Sequence, residues 1–150
     1  MFQLKSSSSQ QPQIYKMYFD GGAQPNPGKS ASSAILYDDI DNTIQFKIAR
    51  YTKHSTNNQA EYNGVIIGLK KCIELGIKNI SIFGDSLLVV NQLSNKWKIY
   101  NIVLKDLHNT IHELLLEFDN VWISHIPRKL NSAADELCNL AIHNKTDIIV

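Results

Sequence analysis

The sequence predicts an α/β fold, a mixed five-stranded sheet with strands one to three antiparallel and helices on both faces. Three observations carry this expectation. Aromatic and β-branched stretches separated by polar turn residues fill the chain up to Tyr51. From Thr56 onward the apolar residues recur at helical spacing instead. Short apolar runs then alternate with helices, giving the order βββ-α-β-α-α-β-α, which packs helices against a partly parallel sheet.

The first thirteen residues, rich in Ser and Gln with Lys5 as their single charge, lack apolar periodicity and are expected to form a disordered leader. Order is expected over 14–150, beginning with a strand at Ile14–Phe19 that Asp20-Gly21-Gly22 ends. Pro and Gly punctuate the Gln24–Gly28 loop. Ala31–Tyr37 and Thr43–Tyr51 form the next two strands, joined through the polar turn Asp38–Asn42. Thr56-Asn57-Asn58-Gln59 has the pattern of a capping box. Behind it Tyr62, Val65, Ile66, Leu69, Cys72 and Ile73 mark a helix that Gly76 stops. Asn79–Gly84 reads as a strand and Ser86–Leu93 as a short helix. Leu104, Leu107, Ile111, Leu114 and Leu115 form the apolar stripe of a helix over Val103–Phe118. Val121–His125 is the last strand, and Asn131 is expected to cap a helix carrying Ala134, Leu137, Cys138 and Ala141.

Composition excludes several classes of protein. With 150 residues, 43% of them hydrophobic and 19% charged, the chain suits one globular domain. No apolar run approaches a membrane span and the start lacks an apolar signal core, so a protein of the cytoplasm or nucleus is expected, with no membrane partner. Cys72 and Cys138 lie on apolar stripes and read as reduced core residues. A net charge of +1 is too balanced for a protein that grips duplex by bulk charge.

Four acids stand at element ends: Asp20 after the first strand, Glu61 and Asp135 in the first turns of helices, and Asp85 at the exit of the fourth strand. Singly, each suits turn or helix-dipole chemistry. Together at the rim of an open sheet they would repel one another unless a cation neutralised them. An all-oxygen donor set favours Mg²⁺ or Mn²⁺ over zinc, and two such ions about 3.5–4 Å apart are the usual arrangement for displacement at a phosphodiester. The residues therefore point to metal-dependent phosphoryl transfer.

Tyr18-Phe19-Asp20-Gly21-Gly22, Asn26-Pro27-Gly28, Thr56-Asn57-Asn58-Gln59-Ala60-Glu61, Gly84-Asp85-Ser86 and Asn131-Ser132-Ala133-Ala134-Asp135-Glu136-Leu137 together resemble type 1 ribonuclease H, from about Ile14 to His143. The resemblance implies the fold of that family and makes Asp20, Glu61, Asp85 and Asp135 its metal-binding acids. Asp20 and Asp85 would bridge two Mg²⁺ or Mn²⁺ ions and Glu61 and Asp135 would be the outer acids. It implies a monomeric endonuclease that cuts the RNA of an RNA–DNA hybrid, leaving 5′-phosphate and 3′-hydroxyl ends. Asn26, Asn57 and Asn58 match positions that meet the minor groove, and Thr56 one that helps hold a DNA phosphate. The chain resembles the short-loop form, in which Arg128, ranked above His125, would approach the scissile phosphate. It lacks the family's basic protrusion; Asn95–Tyr100 stands there, with Lys96, Trp97 and Lys98 available for phosphate contact and stacking, or with Trp97 as a core plug. His54, His108, His112 and His143 read as surface residues. Two rival readings keep the fold: a hybrid-binding module without turnover, and a related nuclease acting on DNA or double-stranded RNA.

Overall fold

The computed structural model describes residues 1–6 and 13–150. A short strand β1 (Phe2–Lys5) precedes three long ones, β2 (Tyr15–Gln24), β3 (Gly28–Asp38) and β4 (Ile44–Ser55). Then come α1 (Asn57–Glu74), β5 (Asn79–Gly84), α2 (Leu87–Leu93), α3 (Ile102–Leu115), β6 (Asn120–His125), a 3₁₀ turn at Arg128–Leu130, α4 (Ser132–Asn144) and β7 (Ile148–Ile149). They form one mixed sheet in the order β1-β6-β5-β2-β3-β4-β7. The β2–β3–β4 meander is antiparallel, whereas β5 pairs parallel with β2 and β6 parallel with β5.

Among the described residues the sheet has seven strands, not the five expected, because both edges carry a strand too short to show a periodicity. Two residues of β7 pair with Ile48 and Ala49 of β4. At the other edge β1 pairs antiparallel with β6, placing Phe2 opposite Ile123, and Lys5 donates from Nζ to the Leu116 carbonyl at the end of α3 (2.9 Å). Phe2–Lys5 thus form a strand inside the segment expected to be a disordered leader, while 7–12 of that segment lie outside the described residues.

β3 shows how the two faces are filled. Residues Ser30 to Leu36 are buried without a break, as a strand covered on both sides requires. Ala34 and Leu36 join the core beneath α1 and α3, with Met17, Phe19, Val65 and Leu69. Ala31 and Ile35 point the other way, into a smaller cluster with Ala134, Leu137 and Ala141 of α4. The two serines between them do the same with hydrogen bonds: Ser32 Oγ donates to the Ala60 carbonyl of α1 (2.7 Å) and Ser33 Oγ to the Ala134 carbonyl of α4 (2.8 Å). Each satisfies a buried hydroxyl and ties a helix start to the same stretch of strand. Cys72 and Cys138 are buried and free, and among the described residues no helix is long and apolar enough to cross a membrane.

The local signals are met where they were strongest. Thr56 caps α1 through a complete capping box, with Thr56 Oγ1 accepting from the Gln59 amide (3.1 Å) and Gln59 Oε1 from the Thr56 amide (3.2 Å). Gly76, at φ 73°, follows the end of that helix in the left-handed conformation that glycine tolerates. Strand ends differ more. β2 continues through Asp20-Gly21-Gly22 to Gln24, because β3 supplies an antiparallel partner for every one of those residues.

Candidate active site

Asp20 lies within β2 opposite Ser33 of β3, not at the strand end expected of it. The parallel pairing with β5 stops at Tyr18 and Phe83, so Asp20 is the point at which β2 outruns its other neighbour. Asp85 follows the end of β5 directly, on the same rim. Glu61 lies just beyond the first turn expected of it, because α1 already starts at Asn57 and holds no acid in that turn, and it reaches the rim from there. Gly21 makes this possible, since a Cβ there would overlap the Ala60–Glu61 backbone. Gly64 and Gly68, farther along the helix, leave room for the Asp20 carbonyl and the Met17 side chain. Of the two glycines after Asp20, Gly21 is therefore occupied by the protein's own helix, and only Gly22 faces open space.

Oxygens of Asp20, Glu61 and Asp85 lie within 4.8 Å of one another. Asp20 and Glu61 are buried, and Glu61 Oε2 has no hydrogen-bond partner among the described residues. Burial, opposed by the Gly21 amide and reinforced by the nearby Asp85, pushes the Asp20 carboxyl up to about 7. Burial and the adjacent Asp20 and Asp85 raise Glu61 well above the usual carboxylate range, and the Arg128 guanidinium opposes that rise. Buried acids that crowd together and resist ionisation, with one oxygen unsatisfied, mark a site whose charge balance needs a cation. The donor set fits a hard divalent ion, being three carboxylates without His or Cys.

Asp135, in the first turn of α4, stands outside this trio but lines the same cleft of about 590 Å³, as do Gly22, Asn57, Asn58 and Arg128. Its carboxylate is approached by Asn139 Nδ2 (3.5 Å), and Asn139 Oδ1 accepts in turn from Gln24 Nε2 (3.1 Å).

The family model described as reverse transcriptase-like matches residues 18–141. Ribonuclease HI of Halobacterium salinarum is 37% identical over 125 residues, covering 83% of this chain and 62% of its own length. The bifunctional protein Rv2228c of Mycobacterium tuberculosis is 33% identical over 123 residues, covering 82% of this chain and 34% of its own. Among solved structures, LC11-RNase H1 in complex with an RNA/DNA hybrid superposes with a TM-score of 0.82 at 31% identity, covering 87% of this chain and 98% of that one. The chain belongs to the ribonuclease H family. It spans 62% of the archaeal relative and about a third of the mycobacterial one.

The other residues expected to meet substrate are placed differently from one another. Asn57 and Asn58 line the cleft, but Asn26 does not. Asn26 Oδ1 accepts from the Asn57 amide (3.0 Å) and Asn57 Oδ1 from the Ala23 amide (2.8 Å), so the two side chains fasten the end of β2 and the turn after it to the start of α1. Arg128 is exposed on its 3₁₀ turn and shares the cleft with the acids. His125 ends β6, with Nε2 3.2 Å from the Asp85 carbonyl oxygen, and does not line the cleft. Lys96, Trp97 and Lys98 stand apart from it; Trp97 is 46% exposed, which excludes the core-plug reading, and Lys96 Nζ lies 5.1 Å over the Phe2 ring.

Two features differ from the sequence reading. Asn131 makes no side-chain cap to α4. It is 1% exposed and donates from Nδ2 to the Phe19 carbonyl (2.9 Å) and to Asp85 Oδ2 (3.2 Å), bracing one acid against the strand that carries another. An Asn four residues before Asp135 suits a helix cap equally well, so only its neighbours in space reveal this role. His108 and His112 are half-buried rather than surface residues, with ring centroids 4.3 Å apart. Burial lowers both imidazoles below the usual range.

Proposed function

We propose that residues 14–150 form a ribonuclease H catalytic domain that hydrolyses the RNA strand of RNA–DNA hybrids by a two-metal mechanism. The convergence of Asp20, Glu61 and Asp85 within 4.8 Å, with the buried Glu61 Oε2 unpartnered among the described residues, supports this reading most directly. Asp20 and Asp85 would be shared between two Mg²⁺ or Mn²⁺ ions, with Glu61 and Asp135 as outer ligands. Such ions supply a water of lowered pKa and neutralise charge on the leaving oxygen. Water oxygen would bond to phosphorus and give up a proton to solvent as the bond from phosphorus to the ribose 3′-oxygen breaks, and that oxygen would take up a proton from solvent, leaving 5′-phosphate and 3′-hydroxyl ends.

The protein's own groups orient the substrate. Oxygens of Asn26 and Asn57 are engaged within the protein, so a 2′-hydroxyl in the minor groove would meet amide N–H donors, with Asn58 beside them. Thr56 and the N-terminus of α1 suit a phosphate of the DNA strand. Arg128, always charged, acts electrostatically on the scissile phosphate and not as a base. His125 is the lesser contributor. Lys96, Trp97 and Lys98 would contact the duplex away from the acids. All four acids come from one chain, consistent with a monomer, and such an enzyme would act where hybrids form, in the cytoplasm or nucleus.

The test is end-labelled RNA–DNA hybrid, all-DNA duplex and all-RNA duplex, each with Mg²⁺, Mn²⁺ or EDTA. Metal-dependent internal cuts confined to the RNA of the hybrid are expected. Bound but intact hybrid in every lane would make the protein a binding module, and cuts in DNA duplex would make it a different nuclease.

A further inference from the structure

Beyond α2 the chain from Asn95 to Tyr100 is open, with Trp97 46% and Tyr100 84% exposed. Its backbone is nonetheless held. Asn95 turns the chain at φ 61°, and the amides of Lys96 and Trp97 both donate to the Asn91 carbonyl (2.9 and 3.1 Å). The deepest tie starts in α1. Tyr62, next to Glu61 and fully buried, donates its hydroxyl hydrogen to Oε1 of Gln92 (2.6 Å). Gln92, itself only 5% exposed, donates from Nε2 to the Lys98 carbonyl (3.4 Å).

A phenol and an amide placed inside a core stabilise it no better than an apolar pair of similar volume would, because both must be desolvated. What they add is direction, since each end has one partner in one place. We infer that Tyr62 and Gln92 are positioning residues for substrate, fixing the loop that carries Lys96, Trp97 and Lys98 relative to the turn of α1 that carries Glu61. The loop then meets the phosphates of a hybrid already set against the acids, without having to be ordered on binding. This rests on the hybrid-cleavage reading above.

Tyr62→Phe removes one buried oxygen without adding volume, and Gln92→Met keeps the side-chain length. Steady-state cleavage, hybrid affinity by fluorescence anisotropy in EDTA, and amide hydrogen exchange are compared with the parent protein. Both variants are expected to weaken affinity and raise KM about five- to tenfold, the scale of one lost hydrogen bond. They should leave kcat within about twofold and accelerate exchange at Lys96 and Trp97, while α1 remains protected. Unchanged affinity and KM would overturn the inference. So would a fall in kcat with exchange accelerated throughout the molecule, which is the pattern of general destabilisation. A parent protein that binds hybrid without cutting it overturns the proposed function instead, and the affinities alone then decide the role of Tyr62 and Gln92.

Discussion

Gly21 of β2 and Glu61 of α1 are in direct backbone contact: a Cβ on Gly21 would overlap the Glu61 amide nitrogen and the Ala60 carbonyl carbon. The missing side chain sets how close the helix lies to the strand, and hence whether the carboxylates of Asp20 and Glu61 can share a cation.

Gly21→Ala is expected to push α1 away from β2, costing about 2–4 kcal/mol in chemical denaturation and abolishing hybrid cleavage. Gly22→Ala, at a position with open space beside it, should change stability by less than about 1 kcal/mol. Equal losses in the two variants would show that close approach at Gly21 is not what seats the helix.

Asp85→Asn should eliminate metal-dependent cleavage and leave the fold intact, because the amide keeps the shape but removes the charge that a cation needs. Circular dichroism and the melting temperature check the fold, and hybrid turnover checks the site. Full activity would remove Asp85 from the metal-binding set.

Stability without metal should depend on pH in a direction set by Asp20, whose carboxyl stands at about 7 instead of 3.8. Between those values the folded protein holds more protons on Asp20 than the unfolded chain does, so the contribution of Asp20 to stability falls as pH rises from about 4 to about 7 and then levels off. The raised Glu61 acts in the same direction. Asp20→Asn removes the cost of ionising a buried acid and should stabilise the metal-free protein at pH 8 by roughly 2–4 kcal/mol. Denaturation in EDTA across the pH range measures both effects; a parent protein gaining stability from pH 4 to 7 would contradict the assignment.

Asn131→Ala should cost about 2–3 kcal/mol, since it leaves the Phe19 carbonyl without its donor and frees Asp85. Turnover on hybrid should fall about tenfold in the same variant, as Asp85 loses its brace. Denaturation and single-turnover kinetics separate the two losses.

Arg128→Ala is expected to lower kcat on hybrid about tenfold, with partial recovery in Arg128→Lys, as an exposed electrostatic contact implies. His125→Ala should stay within about twofold. A larger loss at His125 than at Arg128 would reverse their order.

Much of this architecture was legible in the chain. The α1 capping box is written in four consecutive residues, and Gly76 ends that helix by a local backbone preference. Asp85 and Asp135 stand where the sequence places them, after a strand and in the first turn of a helix, whereas Asp20 lies inside β2 and Glu61 beyond the first turn of α1. Strand ends were read less well: Asp20-Gly21-Gly22 has the composition of a turn, yet β3 supplies partners that keep it extended.

The sequence by itself determined the helices and the succession of the central strands along the chain, because those depend on periodicity and on residues near one another along the chain. Tertiary structure alone decided the two edge strands, the contact of Gly21 with α1 and the use of Asn131 as a brace. Each joins groups far apart in sequence: Phe2 to Ile123, Gly21 to Glu61 and Asn131 to Phe19. A few residues carry too little period to announce such a pairing, and a hydrogen bond or a missing Cβ acquires its meaning only from what the fold places beside it.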